Sequence, residues 1–154
     1  MIKYSIGFLF SQNRESVALI KKNRPEWQKG LFNAPGGKLE NYESALSCII
    51  REFAEETGVN YTNWLPRIEI LYKNEKPVED VLLHVFNGFS DEVFSCMTMT
   101  EETVQVMTIE EAFQSPLVYN LSWLIPLCLD AYIEGAFRNF HLSSSGKYQL
   151  TERV

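Results

Sequence analysis

The sequence predicts an α/β fold in which a mixed β-sheet lies between two helices, as an α/β/α sandwich. Two observations predict it: several short stretches rich in β-branched and aromatic residues, and two longer stretches whose apolar residues have helical spacing. The length of 154 residues, with 45% hydrophobic and 22% charged residues, is typical of one ordinary globular domain. We therefore expect residues 1–154 to form a single domain.

The first quarter of the chain is predicted to be a pair of strands followed by a loop and a turn. Ile2–Phe10 and residues 16–22 have the composition of strands, and a polar turn at residues 11–15 joins them. Arg24-Pro25 cannot readily continue a strand, so residues 23–30 are predicted to be a loop. Residues 31–37 end in Ala-Pro-Gly-Gly, predicted to be a rigid turn whose backbone can approach a ligand closely.

Residues 44–57 are predicted to be the first long helix. Four apolar residues recur at the i, i+3, i+4 and i+7 spacing of one buried stripe, namely Leu46, Ile49, Ile50 and Phe53. Gly58 follows at the position where a left-handed residue commonly ends a helix.

The second half of the chain alternates strands and helices. Strands are predicted at residues 67–73, 81–89 and 103–107, and a short helix after them with Thr108 as its N-cap. A second long helix is predicted at residues 121–134, with Pro126 in its early part and Gly135 after its end. Two short alternating runs, at residues 137–142 and 147–154, predict a terminal hairpin.

Charge and cysteine content favour a cytoplasmic protein with a small ligand. The net charge of −6 argues against nonspecific binding to duplex nucleic acid or anionic membranes, but a bound cation would still allow a polyphosphate. Cys48, Cys96 and Cys128 are far apart and odd in number, which is typical of reduced thiols. No apolar run is long enough to cross a bilayer, and the short N-terminal one is a strand rather than a secretion signal.

An acidic edge of the first long helix is the candidate functional site. At about 100° per residue, Glu52, Glu55 and Glu56 share one side of the helix, clear of the apolar stripe. Arg51 cannot neutralise three carboxylates, so a divalent cation, Mg²⁺ with Mn²⁺ as an alternative, is expected beside them. The other interpretation is a solvated acidic face. Lys38, directly after the glycine pair, is a candidate phosphate ligand.

Residues 37–59 resemble the signature of the Nudix hydrolase family. The pattern is Gly, five residues, Glu, seven residues, Arg-Glu, an apolar residue, any residue, Glu-Glu, any residue, Gly and an apolar residue. All of its positions are present: Gly37, Glu43, Arg51, Glu52, Phe53, Glu55, Glu56, Gly58 and Val59. The resemblance implies the Nudix fold, an α/β/α sandwich with a mixed sheet. It also implies metal-dependent hydrolysis of a nucleoside diphosphate linked to another group.

The resemblance also implies roles for individual residues. The implied metal ligands are the Gly37 carbonyl, Glu52, Glu55 and Glu56. Glu52 is either a ligand or the general base, with Glu55 beside it, and Arg51 orients the glutamates through its planar fork. Glu43 is expected to cap the helix or pair with Arg51. Glu101 and Glu102 are equal candidates for one further carboxylate, and solvated loop acids are the alternative.

Two segments outside the signature resemble the MutT-like branch that hydrolyses oxidised purine nucleoside triphosphates. In relatives, an Asn placed as Asn33 lies near the nucleobase, and one placed as Asn120 reads the purine edge, since an amide both donates and accepts. The alternatives are that Asn33 shapes a turn and Asn120 caps the last helix.

Aromatic residues and the remaining histidine have structural alternatives too. Trp27, Phe32 and Trp123 are candidates for stacking on a base, although aromatic residues more often belong to a core. His84 lies in an apolar strand and is expected to be a packed core residue.

Other functions stay open at this point. The substrate could instead be ADP-ribose, a sugar nucleotide or a dinucleoside polyphosphate, and the domain could bind nucleotides without catalysis. A P-loop is excluded because Phe32 stands where its first glycine would be, and a zinc deaminase because its HxE and PCxxC motifs are absent. The chain is expected to be a monomer or a homodimer.

Overall fold

The computed structural model describes residues 1–130 and the backbone of two C-terminal strands. Its helices are α1 (Ala45–Thr57), α2 (Ile109–Gln114) and α3 (Leu121–Leu129), with short 3₁₀ turns at Glu26–Gln28 and Asp91–Ser95. Its strands are β1 (Ile2–Phe10), β2 (Ser16–Lys21), β3 (Phe32–Asn33), β4 (Gly36–Lys38), β5 (Leu65–Lys73), β6 (Val81–Phe89), β7 (Val104–Thr108), β8 (Phe137–Ser143) and β9 (Tyr148–Arg153).

The strands form one mixed sheet. Its main order is β3-β2-β1-β6-β5-β8-β9, while β4 pairs with β1 and β7 pairs with β2. The β1–β6 and β5–β8 pairs are parallel, and the other pairs are antiparallel. The predicted terminal hairpin is confirmed as the antiparallel β8–β9 pair. Within the described ranges, no helix is long and apolar enough to cross a membrane.

Both faces of the sheet are buried, as in the predicted sandwich. Because side chains alternate along a strand, Ile6 and Phe8 of β1 face one side and Leu9 faces the other. The first side packs against α3, whose buried residues include Leu121, Leu124 and Ile125. The second side packs against α1 through Ile49 and Phe53. Two cores on opposite faces confirm the α/β/α arrangement.

Helix α1 ends as its sequence predicts and begins at Ala45, one residue later than predicted. The Ser44 hydroxyl accepts a hydrogen bond from the Ser47 amide, and Gly58 ends the helix at φ 77°. The predicted buried stripe is wrong at Leu46, which is 42% exposed. The buried face is centred on Ile49 and Phe53 instead.

The glycine pair does not form the predicted turn. Gly36 and Gly37 lie in β4, antiparallel to Ile6 and Ser5 of β1. A Cβ atom at Gly36 would collide with the β1 backbone, which explains why no side chain is accommodated there. The pair therefore brings two backbones together rather than reversing the chain.

Helix α3 is shorter than predicted, because Asp130 is already extended. Its last carbonyls are satisfied by side chains from other elements: Asn87 Nδ2 donates to Cys128 O at 2.8 Å, and Arg14 Nη1 donates to Leu129 O at 3.0 Å. A continuing helix would have to compete for these acceptors. Pro126 is the sixth residue of α3 and not in its first turn. Gly135 lies outside the described residues.

Candidate active site

A cavity of about 350 Å³ opens on the sheet face that does not carry α1. Its walls come from β1, β4, β5 and β6 and from the loops before β3 and α3. The lining residues that carry polar or aromatic groups are Tyr4, Lys22, Trp27, Gln28, Asn33, Tyr72, Tyr119 and Asn120. Gly36 and Gly37 also line the cavity, so β4 separates it from the acidic edge of α1.

Arg51 organises that acidic edge. Its Nε and Nη2 atoms donate to both oxygens of Glu43, at 2.8 and 3.0 Å. Its Nη1 atom donates to Glu52 Oε1 at 2.7 Å and to Glu55 Oε2 at 3.3 Å. The predicted Glu43–Arg51 pair is thus present, and these hydrogen bonds raise the pKa of Arg51 and hold the pKa of Glu43 down at about 2. One arginine fork therefore sets the direction of two carboxylates on α1.

Glu56 differs from the other glutamates because it is buried. Only 9% of the residue is exposed, and its Oε2 atom has no hydrogen-bond partner within the described part of the chain. The pKa of Glu56 is raised to about 8, chiefly by burial and also by the negative charges of Glu52 and Glu102, while Lys22 and the Gly36 amide act in the opposite direction. The prediction that all three glutamates lie clear of the buried face is wrong here. Glu55 is half exposed and contacts Arg51.

Glu102, rather than Glu101, faces this edge. Its Oε1 atom accepts a hydrogen bond from Lys22 Nζ at 2.9 Å and its Oε2 atom accepts one from the Asn23 amide at 2.6 Å. Its charge also acts on Glu56. The side chain of Glu101 is exposed, and its backbone carbonyl accepts a hydrogen bond from Asn23 Nδ2.

The donor set fits a hard divalent cation. Among the described residues no three His, Cys, Asp or Glu side chains converge on one point. Glu52, however, lies beside Gly37, where a Cβ atom would meet its carboxylate, and Glu56 accepts a hydrogen bond from the Gly36 amide. The Gly37 carbonyl lies 3.5 Å from the Cys48 thiol. Two carboxylates and one backbone oxygen, completed by water, are ligands that Mg²⁺ takes readily.

The two predicted base-reading amides both line the cavity. Asn33 Nδ2 donates to Gln28 Oε1 at 3.1 Å, and its Oδ1 atom accepts from the Ala34 amide, so it also shapes the local backbone. Asn120 precedes α3 but makes no capping hydrogen bond with its side chain. Its Nδ2 atom donates to the Tyr72 hydroxyl at 3.0 Å instead. The capping alternative for Asn120 is therefore wrong.

The three aromatic candidates for stacking on a base differ in whether they line the cavity or belong to the core. Trp27 is 58% exposed on the cavity lining and packs against Tyr119, with ring centroids 6.2 Å apart. Phe32 is a core residue, and Trp123 packs against the same core. His84 is mostly buried on β6, with 15% of its side chain exposed, and its Nδ1 atom lies 3.4 Å from Glu69 Oε1.

Sequence reasoning missed several cavity residues. Lys22 lines the cavity, whereas Lys38 is exposed on β4 and does not. Tyr72 and Tyr119 also lie there, brought in from β5 and from the loop before α3. No local signal marks these three residues, because a lysine or tyrosine at a strand or loop position is common. They become site residues only through long-range packing.

Comparisons with known proteins agree with this geometry. The family model of the NUDIX domain matches residues 1–125. A segment of 52 residues, 34% of this chain, is 42% identical to the uncharacterized Nudix hydrolase YvcI of Bacillus subtilis (strain 168), and the match spans 30% of that protein's length.

Solved structures show the same fold. A MutT protein from Bacillus halodurans superimposes with a TM-score of 0.69 at 21% identity and covers 97% of both chains. The NUDIX domain of Shewanella oneidensis NrtR, solved with ADP ribose, gives a TM-score of 0.70 at 18% identity, over 82% of this chain and 85% of that one. At such low identity the two structures establish the fold alone. Because the NUDIX domain model matches residues 1–125, which is most of this chain, the chain belongs to the Nudix family.

Proposed function

We propose that this protein is a Mg²⁺-dependent Nudix hydrolase that cleaves a purine nucleoside triphosphate, including oxidised purines, to the monophosphate and pyrophosphate. The observation that carries the proposal is the buried Glu56 carboxylate with an unpaired oxygen, one strand away from a nucleotide-sized cavity. An anion in that position is costly unless a cation accompanies it. The cavity offers amides and aromatic rings for a base.

Each side chain of the site has a place in this reaction. Glu52, Glu56 and the Gly37 carbonyl would hold the ion, with Glu55 beside them. When bound, a divalent cation supplies positive charge for the phosphate oxygens and lowers the pKa of a water molecule. Arg51 keeps Glu52 and Glu55 in position through its hydrogen bonds. Glu52 is then within the site either as ligand or as the base that takes the proton of the attacking water.

One lysine lines the cavity and a second lies near it on β4. Lys22 lines the cavity and is ion-paired with Glu102, so it can remain there before a phosphate arrives. Lys38 is exposed one residue beyond Gly37, from where its flexible side chain can reach a phosphate at the rim. We assign base recognition to Asn33 and Asn120, which share the cavity wall with Trp27.

A substrate panel tests the proposal. The protein is incubated with Mg²⁺ and 8-oxo-dGTP, dGTP, dATP, dCTP, ADP-ribose or diadenosine polyphosphates, and release of pyrophosphate and phosphate is followed. We expect a purine triphosphate to give pyrophosphate and monophosphate, and Mn²⁺ to replace Mg²⁺. Chelation of the metal should stop the reaction.

The alternative outcomes identify competing functions. Cleavage of ADP-ribose with inert triphosphates would overturn the substrate class while keeping the hydrolase. Tight nucleotide binding with no turnover on the whole panel would overturn the enzyme and leave a nucleotide-binding domain.

A further inference from the structure

The side-chain amide of Asn120 is only partly used by the protein itself. Its Nδ2 atom donates to the Tyr72 hydroxyl at 3.0 Å, whereas its Oδ1 atom is buried and accepts no hydrogen bond in the described residues. Only 5% of Asn120 is exposed, and both residues line the cavity. A buried carbonyl oxygen without a donor is unfavourable, so this atom is suited to receive an N–H group from a ligand.

Tyr72 determines which atom of the amide is left free. Burial and then a hydrogen bond with Tyr119 raise the pKa of the Tyr72 phenol, so the phenol keeps its proton. A phenol has one proton to donate and lone pairs to accept. If Tyr72 donates to Tyr119, it can only accept from Asn120, and Asn120 must turn its Nδ2 atom towards it.

Tyr119 is itself held in place by a ring contact with Trp27. Tyr119 is 60% exposed, but its ring packs against Trp27 with centroids 6.2 Å apart. With Tyr72 as the donor to Tyr119, the hydrogen bonds run from Asn120 through Tyr72 to Tyr119. This arrangement leaves Asn120 Oδ1 as a buried acceptor without a donor, in a residue that lines the cavity.

We propose that Tyr72 is a positioning residue that orients Asn120 so that the cavity selects a nucleobase with an N–H donor facing Asn120 Oδ1. The inference rests on the proposed function, since it requires a nucleotide base in this cavity. A base without that donor leaves Oδ1 unpaired and binds more weakly. Removing the Tyr72 hydroxyl frees the amide to rotate about its broad terminal torsion and to present either atom.

Binding of nucleoside 5′-monophosphates tests this selection without any turnover. Three matched pairs are titrated by calorimetry in the presence of Mg²⁺: guanosine against inosine, adenosine against purine riboside, and 8-oxoguanosine against guanosine. In each pair the first member carries one additional N–H donor. We expect at least one pair to differ by about tenfold in Kd in favour of the donor, the value of one buried hydrogen bond.

The Tyr72→Phe variant should reduce that ratio to less than about twofold, by weakening binding of the donor-bearing base more than that of its partner. A merely structural role would lower both affinities and keep the ratio. Tyr119→Phe removes the acceptor of the Tyr72 proton and should also lower the ratio. Because Tyr119 is mostly exposed, this second variant gives a result even if Tyr72→Phe does not fold.

Tyr4→Phe is the matched control, since it removes a hydroxyl from the same cavity while the Asn120–Tyr72 hydrogen bond stays, and it should keep the ratio. Absence of any preference in the unmodified protein, or a preference that survives in both Tyr72→Phe and Tyr119→Phe, overturns the inference. Hydrolysis of triphosphates without such a preference would overturn this inference alone. If the protein hydrolyses none of the substrates, but prefers the donor-bearing base and loses this preference in Tyr72→Phe and Tyr119→Phe, only the proposed reaction is overturned.

Discussion

Glu56 is a carboxylate at a position where the helix otherwise buries apolar side chains. At about 100° per residue it projects close to the direction of Ile49 and Phe53. Its neighbours Glu52 and Glu102 are also acidic, and Lys22 is shared with Glu102. An ionised carboxylate in such a buried position lowers the stability of the fold unless a bound cation neutralises its charge.

Glu56→Gln should abolish Mg²⁺-dependent turnover, with a loss of at least about 100-fold, and leave the fold intact. Because the pKa of Glu56 is raised to about 8, this carboxyl must take up a proton when the metal-free protein folds near pH 7, which lowers stability. Gln has no such requirement, so the metal-free variant should melt at the same temperature as the unmodified protein or higher. Mg²⁺ should raise the Tm of the unmodified protein and not that of the variant. Parallel hydrolysis and melting assays check this, with exposed Glu110→Gln as control. Retained turnover would refute the assignment of Glu56.

Gly36 and Gly37 are adjacent but should respond differently to alanine. A Cβ atom at Gly36 would lie 2.7 Å from Ile6 Cα, and backbone cannot easily move. We expect Gly36→Ala to lower the free energy of unfolding by about 1–3 kcal/mol. At Gly37 the new Cβ atom would meet the flexible end of Glu52, so Gly37→Ala should cost less than about 1 kcal/mol.

The hydrolysis rate should be affected more by Gly37→Ala than by Gly36→Ala, because the Cβ atom at Gly37 displaces Glu52. We expect hydrolysis by Gly37→Ala to fall at least about tenfold. Denaturant unfolding and hydrolysis rates of both variants measure the contrast. Equal losses of stability in the two variants would contradict it.

At the scale of elements, α3 is held to the sheet by a buried polar network. Arg67 Nε on β5 donates to Asn87 Oδ1 on β6 at 2.8 Å, and Asn87 Nδ2 donates to Cys128 O at the end of α3. Both Arg67 and Asn87 are less than 7% exposed. The network thus positions the end of α3 and the adjoining cavity wall.

Asn87→Leu should lower the free energy of unfolding by about 2–4 kcal/mol, because it leaves a buried guanidinium N–H and a helix-end carbonyl without their Asn87 partner. Urea denaturation followed by circular dichroism measures this change. The exposed Asn60→Ala should change stability by less than about 0.5 kcal/mol. A loss below about 1 kcal/mol in Asn87→Leu would show that the network contributes little.

At the scale of the whole molecule, the Glu43–Arg51 pair links stability to pH. Arg51 lowers the pKa of Glu43 from 4.5 to about 2, so the native state binds fewer protons than the unfolded state in that range. The pair's contribution is fully present above about pH 4.5 and is lost as the pH falls towards 2.

Glu43→Gln should therefore be less stable than the unmodified protein by about 1–2 kcal/mol at pH 7, and the difference should shrink between pH 4.5 and 2. Urea unfolding at a series of pH values measures the difference. The exposed Glu75→Gln should show none of this dependence. A difference that stays constant down to pH 2 would exclude titration of Glu43 as its source.

The sequence by itself determined the local elements and the family. Caps such as Thr108 and Gly58 depend on neighbours a few residues away, and the structure confirms both. The spacing of Glu52, Glu55 and Glu56 is likewise a local property of one helix. Strand composition also located β1 and β6 with their observed bounds.

Tertiary structure decided which of those residues are buried and what surrounds them. The burial of Glu56, the strand pairing of Gly36, the choice of Glu102 over Glu101 and the Tyr72–Asn120 contact all join residues far apart in the chain. Local periodicity carries no information about such contacts, because they depend on how the sheet brings distant segments together. The same reason explains why α3 ends at Leu129, where Asn87 and Arg14 take up its last carbonyls.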